Sequence, residues 1–240
     1  MSGKPLRLES GHARLLGRIA GLLLMSLALP ACGSLPEIRP SPLPGQADIR
    51  ERCRSFFPDG PHALTHVIEA RLPDESRMSA MGIVLVDPSR QRVHSVIATV
   101  EGFVLFDARH QGVLTVNRAV GPFASPDFAE GIMADVRMVF LPPPGRLTAA
   151  GLLESGFPVC RYEDDAGRVR DVLAGRDFAW AVHQYDGSHG LSHGVRAYSR
   201  NAAGFPERIE IFRHAFPRYG LRLTLLQAER IPADDARLRP

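Results

Sequence analysis

The chain has 240 residues, 45% of them apolar, 23% charged and only 7% aromatic. That length suggests one domain with at most an appendage, and the composition is too apolar for disorder and too poor in cysteine, with three, for a disulfide scaffold. The formal charge of +3 sits in the first 31 residues, where Lys4, Arg7, Arg14 and Arg18 stand against Glu9. The rest of the chain carries 25 basic and 25 acidic side chains, and this balance argues against nucleic acid as a partner.

Residues 1–31 pair a charged start with an apolar run from Ile19 to Leu29. A run of about a dozen residues is too short for a helix to cross a hydrocarbon core of about 30 Å, and it has the length of a secretory leader. It ends in Leu29-Pro30-Ala31-Cys32-Gly33-Ser34, which resembles a bacterial lipobox. The resemblance implies that Cys32 is acylated and becomes the new N-terminus. Acyl chains contribute about 0.8 kcal/mol per buried CH₂, enough in a triacylated cysteine for stable anchoring. Neither Gly33 nor Ser34 is the aspartate that holds such proteins in the inner membrane. The implied destination is therefore the periplasmic face of the outer membrane. The plainer alternative is an ordinary secretory leader with Cys32 as a bystander.

Pro36, Pro40, Pro42 and Pro44 follow, and alternating prolines favour an extended tether without a core. The expected organisation is a leader over 1–31, a lipidated cysteine and tether over 32–48, a folded domain over 49–232 and a tail over 233–240. Cys53 and Cys160 remain. In an oxidising compartment they are expected to pair, closing a loop of about a hundred residues worth up to roughly 4–5 kcal/mol. Two buried free thiols are the alternative.

From Leu64 the pattern has period two. His66–Leu72 alternates, Met78–Val86 is an apolar run ended by a turn at Asp87-Pro88-Ser89, and Val93–Val100, Phe103–Asp107 and Val113–Asn117 are expected as an antiparallel meander joined by Gly-bearing turns. Ser125-Pro126-Asp127 then opens a helix with a capping hydroxyl, a first-turn proline and a carboxylate. Phe128, Ile132, Met133, Val136, Val139 and Phe140 recur at helical spacing, and Pro142–Pro144 ends the element. Thr148–Glu154 reads as a further short helix stopped by Gly156. Strands follow at Val159–Tyr162 and Val169–Leu173, and Trp180, Val182 and Tyr185 suggest an edge strand. His183–Asn201, rich in Gly, Ser and His, reads as a long loop. In the closing hairpin Ile209 and Ile211 face Leu221, Leu223 and Leu225, with Arg208, Glu210 and Arg222 on the other side.

These elements predict a mainly antiparallel β fold with one or two helices, an α+β arrangement whose curved half-barrel sheet encloses a central amphipathic helix. That order behind a lipobox is similar to the LolA/LolB type of lipoprotein carrier, which holds acyl chains in a concave sheet under a helical lid. Phe128–Leu147, read as FAEGIMADVRMVFLPPPGRL, resembles the mid-chain segment of an uncharacterised proteobacterial outer-membrane lipoprotein family found beside aryl-polyene and fatty-acid-like biosynthesis genes. The family's tryptophan in this segment is absent here. Arg208–Gln227 resembles its C-terminal hairpin.

The resemblance implies a non-enzymatic protein that binds an acyl or polyene-like chain and aids its placement in the envelope. Affinity would come from burying CH₂ groups in an apolar pocket. The lining is expected from Phe103, Phe106, Phe128, Ile132, Met133, Val136, Leu221, Leu223 and Leu225, although a filled core demands the same residue types. The expected partners are the membrane, through lipidated Cys32, and a hydrophobic ligand. The competing readings are an assembly lipoprotein that binds an envelope protein, and a metal-dependent hydrolase.

Little favours the hydrolase. His189 and His193, with Asp186 nearby, share a metal-ligand spacing, but Gly187, Gly190 and Gly194 oppose a helix there. His62 and His66 share the spacing across a loop-to-strand junction. Glu163, Asp164 and Asp165 sit in an expected turn. Arg208 and Arg222 are expected to face solvent, or to meet an anionic lipid head if their side of the hairpin lined a cavity. No nucleophile elbow, P-loop or dinucleotide fingerprint is present. No catalytic residue, metal or cofactor is expected.

Overall fold

The period-two segments pair into one antiparallel sheet. The computed structural model describes residues 33–41, 45–71, 75–214, 218–232 and 235; the leader, Cys32 and nearly all of the tail lie outside the described residues. The strands are β1 (Ile38–Pro40), β2 (His62–Arg71), β3 (Arg77–Asp87), β4 (Arg92–Ala98), β5 (Val104–Gln111), β6 (Val113–Ala119), β7 (Arg146–Leu153), β8 (Pro158–Glu163), β9 (Val169–Ala174), β10 (Trp180–Tyr185), β11 (Leu191–Arg200), β12 (Pro206–Arg213) and β13 (Tyr219–Arg230). Helix α1 spans Gly45–Arg54 and α2 spans Pro126–Phe140.

The strand order is β1-β7-β8-β9-β10-β11-β12-β13-β2-β3-β4-β5-β6. β13 pairs along the whole of β2, from Gly220 opposite Arg71 to Arg230 opposite His62. This joins the C-terminal hairpin to the N-terminal meander, a contact no local pattern announces. β1 and β6 remain as separate edges, so the sheet is open. Register shifts at Ile97/Ala98, Asp107/Ala108, Leu147/Ala149, Gln184/Tyr185 and Leu225/Gln227 add the local twist and bend that bulges supply. The result is a curved half-barrel with helices on its concave side.

Several expectations are corrected. The segment read as a helix over Thr148–Glu154 is strand β7. Its Leu and Ala residues favour helix locally, but β1 and β8 flank it on both sides, and pairing overrides propensity. The segment read as a long loop, His183–Asn201, is most of the β10–β11 hairpin, with only a tight turn around Asp186–Gly190. Its glycines misled: Gly194 lies in a strand, where a Cβ would collide with the Phe212 ring. β10 is an interior strand between β9 and β11, and not an edge. Within the proline-rich stretch, Ile38–Pro40 adds to the sheet edge, and a Cβ at Gly151 would strike the Arg39 carbonyl.

α2 begins at Pro126 with Ser125 as the backbone N-cap, although the serine side chain makes no capping bond. It leads from edge strand β6 to β7 near the opposite edge and packs on β4, β5 and β6. α1 packs on β7, β8 and β9, where Cys53 is disulfide-bonded to Cys160 of β8. Phe56 and Phe57, just after α1, lie against the buried Trp180 ring. Both helices share one apolar core with the inward residues of the sheet. A smaller cluster of Val159, Leu173 and Ala181 lies on the other face of β8–β10, packed with Ile38, Leu153 and Phe178. There Arg161 pairs with buried Asp171 through two bonds of 2.7 Å, and its Nη2 also donates to the Pro36 carbonyl at 2.9 Å.

Candidate functional site: the concave interior and its ties

The inward side chains of β2–β5 and β9–β13 form a continuous apolar surface, because alternate residues of each strand face one side. Of the residues expected to line it, Phe106, Met133 and Leu223 are buried. Ile132, Val136, Leu221 and Leu225 are half-buried against the same core. Phe128 stands at the rim, 37% exposed, edge-on to Phe123. Phe103 does not reach the interior. It lies in the β4–β5 turn, 53% exposed, with the Arg118 guanidinium 5.0 Å from its ring centre. A register shift between Val104 and Phe106 separates this turn from the inward side chains of β5.

The polar ties across this interior were not among the expected site residues. Asp135 lies on the buried side of α2, in register with Phe128, Ile132 and Val139. Tyr219 Oη of β13 donates to its Oδ2 at 2.7 Å. His193 Nε2 of β11 stands 2.9 Å from its Oδ1, off the line of a good hydrogen bond. Burial, with the Asp135 charge beside it, pushes the Tyr219 phenol up and keeps it a donor. A carboxylate inside an apolar helical stripe was the signal for this tie: such a group must find buried partners. Farther along α2, Arg137 Nη1 lies 3.1 Å from His110 Nε2 of β5. Burial and the Arg137 charge hold His110 below its ordinary range, which suits a neutral acceptor. His66 of β2 faces the Phe140 ring at 5.6 Å, and burial lowers it to about 4.

The other sequence candidates resolve into structural roles. Asp186 accepts from Ser188 and Gly190 within the β10–β11 turn that holds His189, while His193 points to Asp135. His62 and His66 both face inward on β2; His62 Nδ1 is 2.8 Å from the Gly60 carbonyl, and its ring sits edge-on to Phe205. Asp164 accepts from the Ala166 and Arg168 amides and from Arg168 Nε, as a turn residue does. Arg222 lies 3.7 Å from Glu210 and 3.6 Å from Glu69 on the outer face, and Arg208 stacks over Tyr198 at 4.1 Å. Among the described residues no group of three His, Cys, Asp or Glu is placed to hold a metal, and no helix is long and apolar enough to cross a membrane. A cleft of about 60 Å³ opens where the end of α2 and Pro142–Pro144 meet β9 and β10. That is well under the 300 Å³ or more of a typical ligand pocket.

A solved structure shares this fold. A LolA-superfamily protein of Nitrosomonas europaea superposes with a TM-score of 0.55 at 12% identity, covering 81% of this chain and 97% of that one. A putative outer-membrane lipoprotein-sorting protein domain from Vibrio parahaemolyticus gives 0.46 at 10% identity, over 77% and 92% of the two chains. A DUF1329-family protein of Desulfovibrio piger gives 0.46 at 10% identity, over 83% and 100%. No family model and no curated protein sequence matches the chain.

Proposed function

We propose that this chain is a cell-envelope lipoprotein that takes an acyl or polyene-like chain between its concave sheet and α2 and aids its placement in the outer membrane. The observation that carries this reading is the way the apolar face is closed. It is covered by helices and not by a second sheet, and α2 has no cysteine to bind it covalently. Moving α2 aside would bare Phe106 and Leu223 on the sheet and Met133 on the helix, apolar surface that an alkyl chain would cover at about 25 cal/mol per Å². The lipobox-like Leu29–Cys32 supports a membrane anchor, and the proline-rich stretch after it, docked on β7 as β1, would hold the domain close to that anchor. No covalent chemistry is assigned, since the candidate His and Asp residues are engaged in turns and core contacts. Native mass spectrometry with lipid extraction, on protein purified from the cell envelope, tests the reading. A stoichiometric acyl-bearing molecule is expected; a clean unliganded mass together with no binding of fluorescent fatty acids would overturn it.

A second reading, an assembly lipoprotein that binds a protein partner, is favoured by the filled interior and by Ile83 and Leu226, 43% and 57% exposed. A clean mass in that experiment, with envelope crosslinks mapping to the outer face of β3 and β13, would favour it.

A further inference from the structure

The small cleft at the end of α2 has an unusual lining. Its floor is apolar and belongs to the main core, with Met138 and Leu141 from the end of α2 and Val182 from β10, all buried. Its walls are cationic, with Arg137 from α2 and Arg168 and Arg170 from the start of β9 and the turn before it. Asp164 answers Arg168 at 2.8 Å but stands 3.9 Å from Arg170. Arg170 donates through Nε to Gln184 at 2.9 Å, and its Nη1 is buried without a hydrogen-bond acceptor among the described residues. Arg137 meets His110 at 3.1 Å, with Glu130 offsetting part of its charge.

Like charges gathered at the rim of an apolar core repel one another, and a buried guanidinium donor without an acceptor costs free energy. The crowding is visible on Arg170, where burial and then the nearby Arg168 and Arg137 push the guanidinium down to about 10. An oxyanion in the cleft would relieve both costs at once, because guanidinium groups match phosphate and carboxylate oxygens in paired, charge-assisted bonds. A cleft of about 60 Å³ has room for a headgroup of that size and none for an alkyl chain. Met138, Leu141 and Val182 belong to the main apolar core, so a chain attached to the anion would enter that core where α2 ends once the helix shifts.

We propose that Arg137, Arg168 and Arg170 form an oxyanion site that takes the phosphate or carboxylate head of an acyl amphiphile whose chain lies under α2. This rests on the acyl-carrier reading and narrows its ligand to an anionic amphiphile. Calorimetric titration of the purified protein tests it with three probes, the amphiphiles kept below their micelle concentrations: decyl phosphate, neutral decyl maltoside and inorganic phosphate. Decyl phosphate is expected to bind at least tenfold more tightly than decyl maltoside, and Arg170→Gln to reduce that ratio below twofold while decyl maltoside binding stays the same. Arg168→Gln, at an exposed side chain, is the second variant should Arg170→Gln misfold, and should cut the ratio at least threefold. Equal binding of the two amphiphiles would overturn the oxyanion site and leave the carrier reading standing. Binding of inorganic phosphate with neither amphiphile would overturn the lipid source and the carrier reading together, assigning the arginines to a free anion. Failure of all three probes would overturn both.

Discussion

Helices α1 and α2 cover two parts of one apolar face, and different chemistry holds each. α1 is stapled to β8 by Cys53–Cys160 and backed by Phe56 and Phe57 on Trp180. α2 relies on packing, on Asp135 between Tyr219 and His193, and on Arg137 against His110. A disulfide persists whatever the helix does, whereas hydrogen bonds and packing can be exchanged for those of a ligand. On the acyl-carrier reading, the difference makes α1 the fixed part of the interior and α2 the part that would shift for a ligand.

The largest effect expected from disturbing this contrast is on the fixed side. Replacing both Cys53 and Cys160 by Ala opens a loop with a sequence separation of 107 residues, and chain entropy puts the loss near 4–5 kcal/mol. Urea unfolding should show it, with acyl binding by the surviving folded protein unchanged.

Acid should act on the other side. His66 falls from its ordinary 6.5 to about 4 on burial beside Phe140, the last residue of α2. The unfolded chain therefore takes up a proton at a higher pH than the folded one. The stability is full above about pH 6.5 and is lost as pH drops towards 4, by up to about 3 kcal/mol. Unfolding curves between pH 7 and 4 should follow that loss, and His66→Leu should flatten it.

The smallest change is Tyr219→Phe, which removes one hydrogen bond to a buried carboxylate at a cost of about 1.5–3 kcal/mol. If α2 is the moving part, this variant should take up an acyl probe faster in stopped-flow mixing, because the helix is tied down less firmly. A slower or unchanged rate would remove Asp135–Tyr219 from the account of opening.

Much of the fold was legible wherever local pattern and final pairing agree. The alternation in β2–β6 and in β12–β13, and the helical stripe from Phe128 to Phe140, each bury a face that the sequence spells out. β7 and β11 were misread because Ala, Leu, Gly and Ser report local preference, while neighbours distant in sequence decide their state. The pairing of β13 with β2 depends on contacts more than 140 residues apart, for which periodicity carries no signal. Within the interior, Phe106, Met133 and Leu223 could be named from their spacing, whereas Phe103, named with them, lies in the β4–β5 turn and faces out. Asp135 was visible as a charge in an apolar stripe. Its partners were not, since His193 lay in apparent loop and Tyr219 at a hairpin end. The arginine cleft draws on α2 and on the β8–β9 turn, which only the fold brings together.

Hydrogen exchange read by mass spectrometry, with and without decyl phosphate, tests the division between the two helices most directly. The ligand is expected to alter exchange across Pro126–Phe140, the helix that must shift to admit the chain, and to leave Gly45–Arg54 unchanged. Ligand binding with α2 protection unchanged, or with α1 loosened in its stead, would contradict it.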